Sequence, residues 1–145
     1  MSFSPEDRNY GMIAHGLVLL SGISAFLGSL SFLGLVASIA SVVLYFVWKS
    51  RSPFVVRHAK QAAGLQVFLF LFSIVMIVLT TVLTAGAAAA GSLGGVFAVI
   101  GFAGFISLAV GIAAAVCAVM GLLKAQKGEE YTYPLIGGFI DRINI

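Results

Sequence analysis

The chain has 145 residues, of which 61% are hydrophobic and only 9% charged, and its mean hydropathy is +1.13. A soluble domain usually carries about 25% charged residues, so water could not solvate the surface of a domain with this composition. The composition therefore predicts an integral membrane protein, and a formal net charge of +3, spread along the chain, argues against a nucleic-acid partner.

Long apolar stretches define the predicted fold. Lipid cannot hydrogen-bond to the backbone, so a spanning segment must be a helix or part of a closed barrel. The apolar runs are continuous, whereas barrel strands alternate over roughly ten residues, so the sequence predicts helices. We expect an all-α integral membrane protein with four transmembrane helices arranged as two hairpins, in a single membrane domain over residues 1–145.

The first hairpin follows a mixed-charge N-terminus, Met1–Arg8, which is unlike a secretory leader, so no cleavage is expected. A long uncharged run then extends as far as Trp48. Because about 20 residues cross the hydrocarbon, this run predicts two short spans, residues 10–27 and 31–48. The Gly and Ser cluster at 28–31 is the predicted turn between them.

A polar block, residues 52–63, separates the two hairpins. Ser52 can cap a helix, and Pro53 suits the first helical position because proline lacks the N–H that is unpaired there. We therefore expect a helix that starts at the cytoplasmic interface over residues 53–62 and continues as a third span over 62–85.

The rest of the chain supplies a fourth span and a polar tail. The Gly- and Ala-rich residues 86–95 are predicted to form a loop, and residues 96–123 the fourth span. The tail, residues 124–145, contains a short apolar segment, Leu135–Ile140, that is too short to span. We expect this segment to lie along the interface or to pack against the helices.

The distribution of charge predicts the orientation. With four spans, the N-terminus, the central block and the tail share one side, and every basic residue falls there. The positive-inside rule places that side, with both termini, in the cytoplasm of a multi-pass protein of the inner or plasma membrane. The basic residues are Arg8, Lys49, Arg51, Arg57, Lys60, Lys124, Lys127 and Arg142.

Residue types that carry catalysis or bind metals are few. Cys117 is the single cysteine, so an internal disulfide is excluded. A zinc site needs three or four ligands, more than two histidines supply, and the carboxylates all lie near the termini. The sequence has no phosphate-binding loop, dinucleotide fingerprint or nucleophile motif. We therefore expect no enzyme activity, no cofactor and no metal.

Two histidines stand out against the apolar background. His15 lies early in the first span, and His58 lies on the central helix three residues before Gln61, on the same helix face. Since polar groups are costly inside a membrane unless paired, we expect a polar cluster of these three residues on the cytoplasmic side, with His58 bonded to span one or to the tail. The alternative is that each histidine only bonds a backbone carbonyl or a lipid headgroup.

Small residues recur along the fourth span at spacings of three and four, on one helix face. Such a face lets a neighbouring backbone approach closely. It serves either packing within the chain or an interface with a second copy or a partner. The residues of this small-residue stripe are Gly104, Ser107, Gly111, Ala114, Ala118 and Gly121.

Basic residues flank the start of the central helix. They could contact anionic headgroups, or they could be the ordinary flanks that the positive-inside rule describes. They are Lys49, Arg51, Arg57 and Lys60.

The central block carries a family resemblance. It looks like the signature of a family of small bacterial and archaeal membrane proteins of unknown function, which is similar to the twenty-kilodalton channel subunit of the chloroplast inner-envelope import translocon. The segments Pro5–Arg8 and Gly128–Pro134 resemble the two ends of that family, and the resemblance implies four helices with a cytoplasmic hinge. The central residues that carry it are Ser52, Pro53, Phe54, His58, Ala59, Gln61 and Gln66.

Together these features predict a non-enzymatic accessory or assembly subunit of a larger membrane complex, or a small homo-oligomer. Its partners would be the lipid bilayer and other membrane subunits or its own copies. The resemblance suggests a protein-translocation or transport element as an alternative, and the basic block suggests a lipid-binding or membrane-stress protein. A transporter needs polar groups along a path at mid-membrane, and limited polarity there favours the first interpretation.

Overall fold

The computed structural model describes residues 3–26 and 31–143, and every regular element in those residues is an α-helix. The turn predicted at 28–31 lies, except for Ser31, outside the described residues. The helices are α1 (Pro5–Phe26), α2 (Ser31–Val47), α3 (Pro53–Ala89), α4 (Leu93–Gln126) and α5 (Gly137–Arg142).

Helix α3 begins at Pro53 as predicted, and the backbone N–H of Val55 points at the Ser52 hydroxyl oxygen at 3.5 Å. The prediction of a loop over residues 86–95 is wrong, because α3 continues to Ala89 and α4 starts at Leu93, so the connection between them is much shorter. The alanines in this region extend the helix, as expected of the residue with the highest helix propensity. Ser92 caps α4 by accepting a hydrogen bond from the Gly95 N–H at 3.1 Å.

Among the described helices, α3 and α4 are long and apolar enough to cross a membrane. Helix α2 contains a shorter apolar segment, Phe32–Val47, and α1 carries Glu6 and Asp7 in its first turn. The structure is thus all-helical with two candidate spans. The four-span arrangement, like the single membrane domain, stays a prediction.

The chain divides into two compact units: unit 1 is Met1–Val67 with Ala114–Ile145, and unit 2 is Phe68–Ala113. Unit 2 is the helical hairpin formed by residues 68–89 of α3 and 93–113 of α4. At 1.5 Å per residue each arm is about 32 Å long, close to the thickness of the bilayer hydrocarbon. Its large apolar side chains are exposed, Ile77 to 64% and Phe102 to 68%, so unit 2 presents a surface suited to lipid.

Unit 1 has its core around the first turns of α3. Phe54 and Val55 are fully buried, and the Phe54 ring stacks on Phe3 with the centroids 4.3 Å apart. The tail folds back onto the same helix. A Cβ at Gly64 would lie 2.7 Å from the Ile140 side chain, so only glycine lets α5 approach α3 this closely. The short apolar tail segment therefore packs against α3 through Ile140, while Leu135 and Phe139 are exposed.

Candidate functional site

A chain of buried hydrogen bonds connects α1, α3 and the tail at the centre of unit 1. The Nε2 atom of His15 lies 2.8 Å from Nδ1 of His58, and both side chains are fully buried. On the other side of the His15 ring, Nδ1 lies 2.6 Å from the hydroxyl oxygen of Tyr133. Beyond His58, Nε2 lies 3.1 Å from the backbone carbonyl oxygen of Glu129. We call these four residues the histidine chain.

The carbonyl of Glu129 fixes where every proton in the histidine chain sits. A carbonyl only accepts, so His58 Nε2 carries a proton and donates it, which leaves Nδ1 of a neutral His58 as an acceptor. His15 Nε2 then donates to His58, and His15 Nδ1 accepts from the hydroxyl of Tyr133. Burial raises the pKa of Tyr133, so its hydroxyl keeps the proton that this bond needs.

Gln61 fastens the tail to α3 beside the histidine chain. Its Oε1 accepts from the backbone N–H of Tyr133 at 3.1 Å. Its Nε2 donates to the Gly137 carbonyl at 3.1 Å and to Oδ1 of Asp141 at 2.8 Å. Sequence reasoning grouped Gln61 with the histidines, but the structure directs its amide to the backbone and side chain of the tail instead.

A second polar contact joins α1, α2 and α3. Nε2 of Gln66 donates to the Ser21 hydroxyl at 2.7 Å, and Oε1 accepts from the Ser38 hydroxyl at 3.2 Å. Gln66 is 3% exposed, so its amide uses both ends inside the protein. The resemblance to the family singled out this residue, but its serine partners carried no sequence signal.

Sequence reasoning did not include Tyr133 in the polar cluster. The tail enters the site because Gln61 and His58 bond to its backbone, and no spacing rule connects residues so far apart. The one available signal was two tyrosines in an otherwise polar segment, within the part that resembled the end of the family. Both Tyr131 and Tyr133 are buried.

The structure divides the small-residue stripe between the two units. Its members in unit 1 are buried: Ala114, Ala118 and Gly121. In unit 2, Gly104 and Ser107 are exposed and Gly111 is half-buried. A Cβ at Gly121 would lie 2.6 Å from the His15 ring, whereas one at Gly104 would meet nothing within 4 Å. The half of the stripe that lies in unit 1 thus supports packing within the chain, directly behind the histidine chain.

The arginines that flank the start of α3 have partners within the protein. Arg51 forms an ion pair with Glu6 at 3.0 Å, and its guanidinium lies 4.1 Å from the Tyr10 ring centroid. Arg57 pairs with Glu130 and donates to the Thr132 hydroxyl at 2.9 Å. These contacts join the N-terminal segment, the start of α3 and the tail at one end of unit 1.

Two lysines complete this charged end. Lys60 donates to the backbone carbonyl of Asp141 at 3.1 Å. Lys124 pairs with Glu129, and this hydrogen bond lowers the pKa of the Glu129 carboxyl, so the pair stays charged over a wider pH range. In the part of the chain that the structure describes, no three His, Cys, Asp or Glu side chains are placed to hold a metal ion.

Comparison with known proteins yields one family. The model of the MamF/MmsF family, described as the magnetosome magnetite crystal formation protein family, matches residues 6–140. The chain belongs to the MamF/MmsF family. No curated protein and no solved structure matches the chain. The matched range includes the whole histidine chain, from His15 to Tyr133, and the central block.

The histidine chain of this MamF/MmsF protein predicts unequal effects for two tyrosines. Tyr133→Phe removes the hydroxyl that donates to His15 and leaves a buried acceptor unpaired, so the free energy of unfolding should fall by about 1–3 kcal/mol. The matched control is Tyr131→Phe, because the described residues offer that hydroxyl no partner other than the weakly polar Cys117 thiol. Thermal unfolding in mild detergent measures both, and equal losses would show that the bond to His15 gives the Tyr133 hydroxyl no special weight in stability.

The division of the small-residue stripe predicts a second contrast. Gly121→Ala places a methyl group against the His15 ring and should lower stability by about 1–3 kcal/mol, because overpacking displaces a buried side chain. Gly104→Ala meets open space and should leave thermal stability unchanged. A comparable loss from Gly104→Ala would show that the exposed half of the stripe is also a packing face.

Proposed function

We propose that this MamF/MmsF protein is a non-enzymatic accessory or assembly subunit of a membrane complex, acting either with other subunits or as a small homo-oligomer. Its role is structural: unit 1 holds the termini and the central block together, and unit 2 offers an apolar surface to lipid or to neighbouring subunits. The description of the family supports a role in a membrane that takes part in magnetite crystal formation.

The observation that carries this proposal is that the buried groups best suited to chemistry are already bonded. His15 and His58 bond to each other, and their outer nitrogens meet Tyr133 and the Glu129 carbonyl. A general base or nucleophile needs a free site for the reacting group beside it. In the described residues, these side chains are used to connect helices.

Protein translocation is the alternative function, and it rests only on the resemblance to an import-channel subunit. A transport path needs polar groups that face a cavity. The amide of Gln66, which lies on α3 just before its long apolar stretch, is engaged by Ser21 and Ser38. This supports the structural role over the transport role.

The proposed topology is four spans with both termini in the cytoplasm. Support comes from the ion pairs that join three charged segments at one end of unit 1: Arg51 to Glu6, and Arg57 to Glu130. These segments are the N-terminus, the start of α3 and the tail, and they must therefore share one side of any membrane.

Single-cysteine labelling tests this topology. After Cys117→Ser, a cysteine at Ser52 or Gln126 should react with an impermeant reagent only once the cytoplasmic side is exposed. A cysteine at Ser92, in the α3–α4 turn, should react from the opposite side. Labelling of the Ser52 and Ser92 positions from the same side would end the four-span model.

Purification tests the subunit role. The full chain, extracted from native membranes in mild detergent, should migrate with a second protein at constant stoichiometry or as a homo-oligomer, and mass spectrometry distinguishes these. Tyr131→Phe serves as a folded control that should retain the assembly. A monomer that co-migrates with no protein across several mild detergents would contradict the proposed role.

A further inference from the structure

The four basic residues that flank the start of α3 line one open cleft in unit 1. Lys49, Arg51, Arg57 and Lys60 surround a space of about 540 Å³, with Asp141 as the acidic residue of its lining. Pro53 and Val56 supply apolar walls at the start of α3. Ligand sites in proteins usually measure about 300–1,000 Å³, so the cleft has room for a headgroup. The sequence shows these residues only as basic flanks of a helix, whereas the tertiary structure places them around one open cleft.

The charges of the cleft favour an anion. Four cations face it, against three carboxylates that pair with them: Glu6 on Arg51, Glu130 on Arg57, and Asp141 at 3.5 Å from Arg57. All three pairs are partly exposed, and exposed ion pairs hold their partners weakly. Each guanidinium also has more N–H donors than one carboxylate uses, so it can bind a phosphate oxygen in addition.

Within residues 3–26 and 31–143, no carboxylate forms an ion pair with Lys49. Its ammonium lies 4.9 Å from the Phe46 ring centroid and 5.5 Å from that of Tyr45, an arrangement that keeps the charge beside an apolar surface. Near the end of α2, Val47 is 62% and Phe46 50% exposed, whereas Tyr45 and Trp48 are buried. The cleft therefore lies where an exposed apolar helix face meets a cluster of cations.

We propose that this cleft binds the phosphate of an anionic phospholipid headgroup. The phosphate contacts the four cations of the cleft, and the acyl chains lie along the exposed apolar face of α2. Among phosphate-bearing ligands the boundary position favours a lipid, because a soluble phosphate gains nothing from the apolar face. This proposal concerns lipid selection and does not depend on the subunit role.

The carboxylate of Asp141 reduces the positive charge of the cleft. It lies beside Arg57 and also accepts the Gln61 hydrogen bond that fastens the tail. Asp141→Asn keeps an oxygen acceptor for Gln61 and removes one negative charge from the cleft. The tail should therefore remain in place while the affinity for an anionic lipid rises.

The single tryptophan, Trp48, precedes Lys49 and is 6% exposed, so quenching of its fluorescence requires acyl chains held close to this site. Purified full-length protein is reconstituted with lipids brominated on the acyl chains, and quenching of Trp48 fluorescence gives the relative affinity of phosphatidylglycerol over phosphatidylcholine. Wild type should prefer phosphatidylglycerol. Lys49→Gln should reduce the preference about fivefold, the factor that corresponds to about 1 kcal/mol per basic residue at a membrane surface.

Two further variants make the test specific. Lys127→Gln removes an equal charge from an exposed residue outside the cleft lining and should leave the preference unchanged. Asp141→Asn should increase it. Equal reductions from Lys49→Gln and Lys127→Gln, or no preference in wild type, would overturn the site. Reversal of the preference by millimolar inorganic phosphate would overturn the lipid in favour of a soluble phosphate.

Discussion

The structure depends on a hydrogen bond between two neutral histidines, His15 and His58, in a fully buried site. Buried polar groups are costly unless paired, and this cost is what makes the arrangement specific. With Tyr133 as donor at one end and the Glu129 carbonyl as acceptor at the other, the proton order has one solution. Any displacement of α1, α3 or the tail would leave an unpaired group, so the histidine chain fixes three segments together.

The charged end of unit 1 complements this buried constraint. Exposed ion pairs contribute little to stability individually. Here they connect three segments that are distant in the sequence, through Arg51, Arg57 and Lys60. The same cations surround the cleft beside α2, so one set of side chains both orders the charged end and provides the proposed headgroup site.

Unit 2 follows a different physical rule. Its large side chains are apolar and exposed, and the most apolar window of α3 contains no buried residue. Such a surface is unfavourable in water but neutral in lipid, where the hydrogen bonds within each helix satisfy its backbone N–H and C=O groups. The MamF/MmsF chain thus combines unit 1, which is ordered by polar contacts, with unit 2, a hairpin whose exposed surface suits the apolar interior of a bilayer.

The sequence by itself determined the helical class, the membrane environment and the start of α3 at Pro53, because composition and capping act locally. It also pointed to His15 and His58. The tertiary structure decided which partners they meet, and it separated Gly121, packed against His15, from Gly104 at the same spacing in open space. The helical period predicts which residues share a face, but only the fold determines what covers that face. Tyr133, for example, is held beside His15 by a hydrogen bond from its backbone to Gln61, and no sequence pattern encodes this bond.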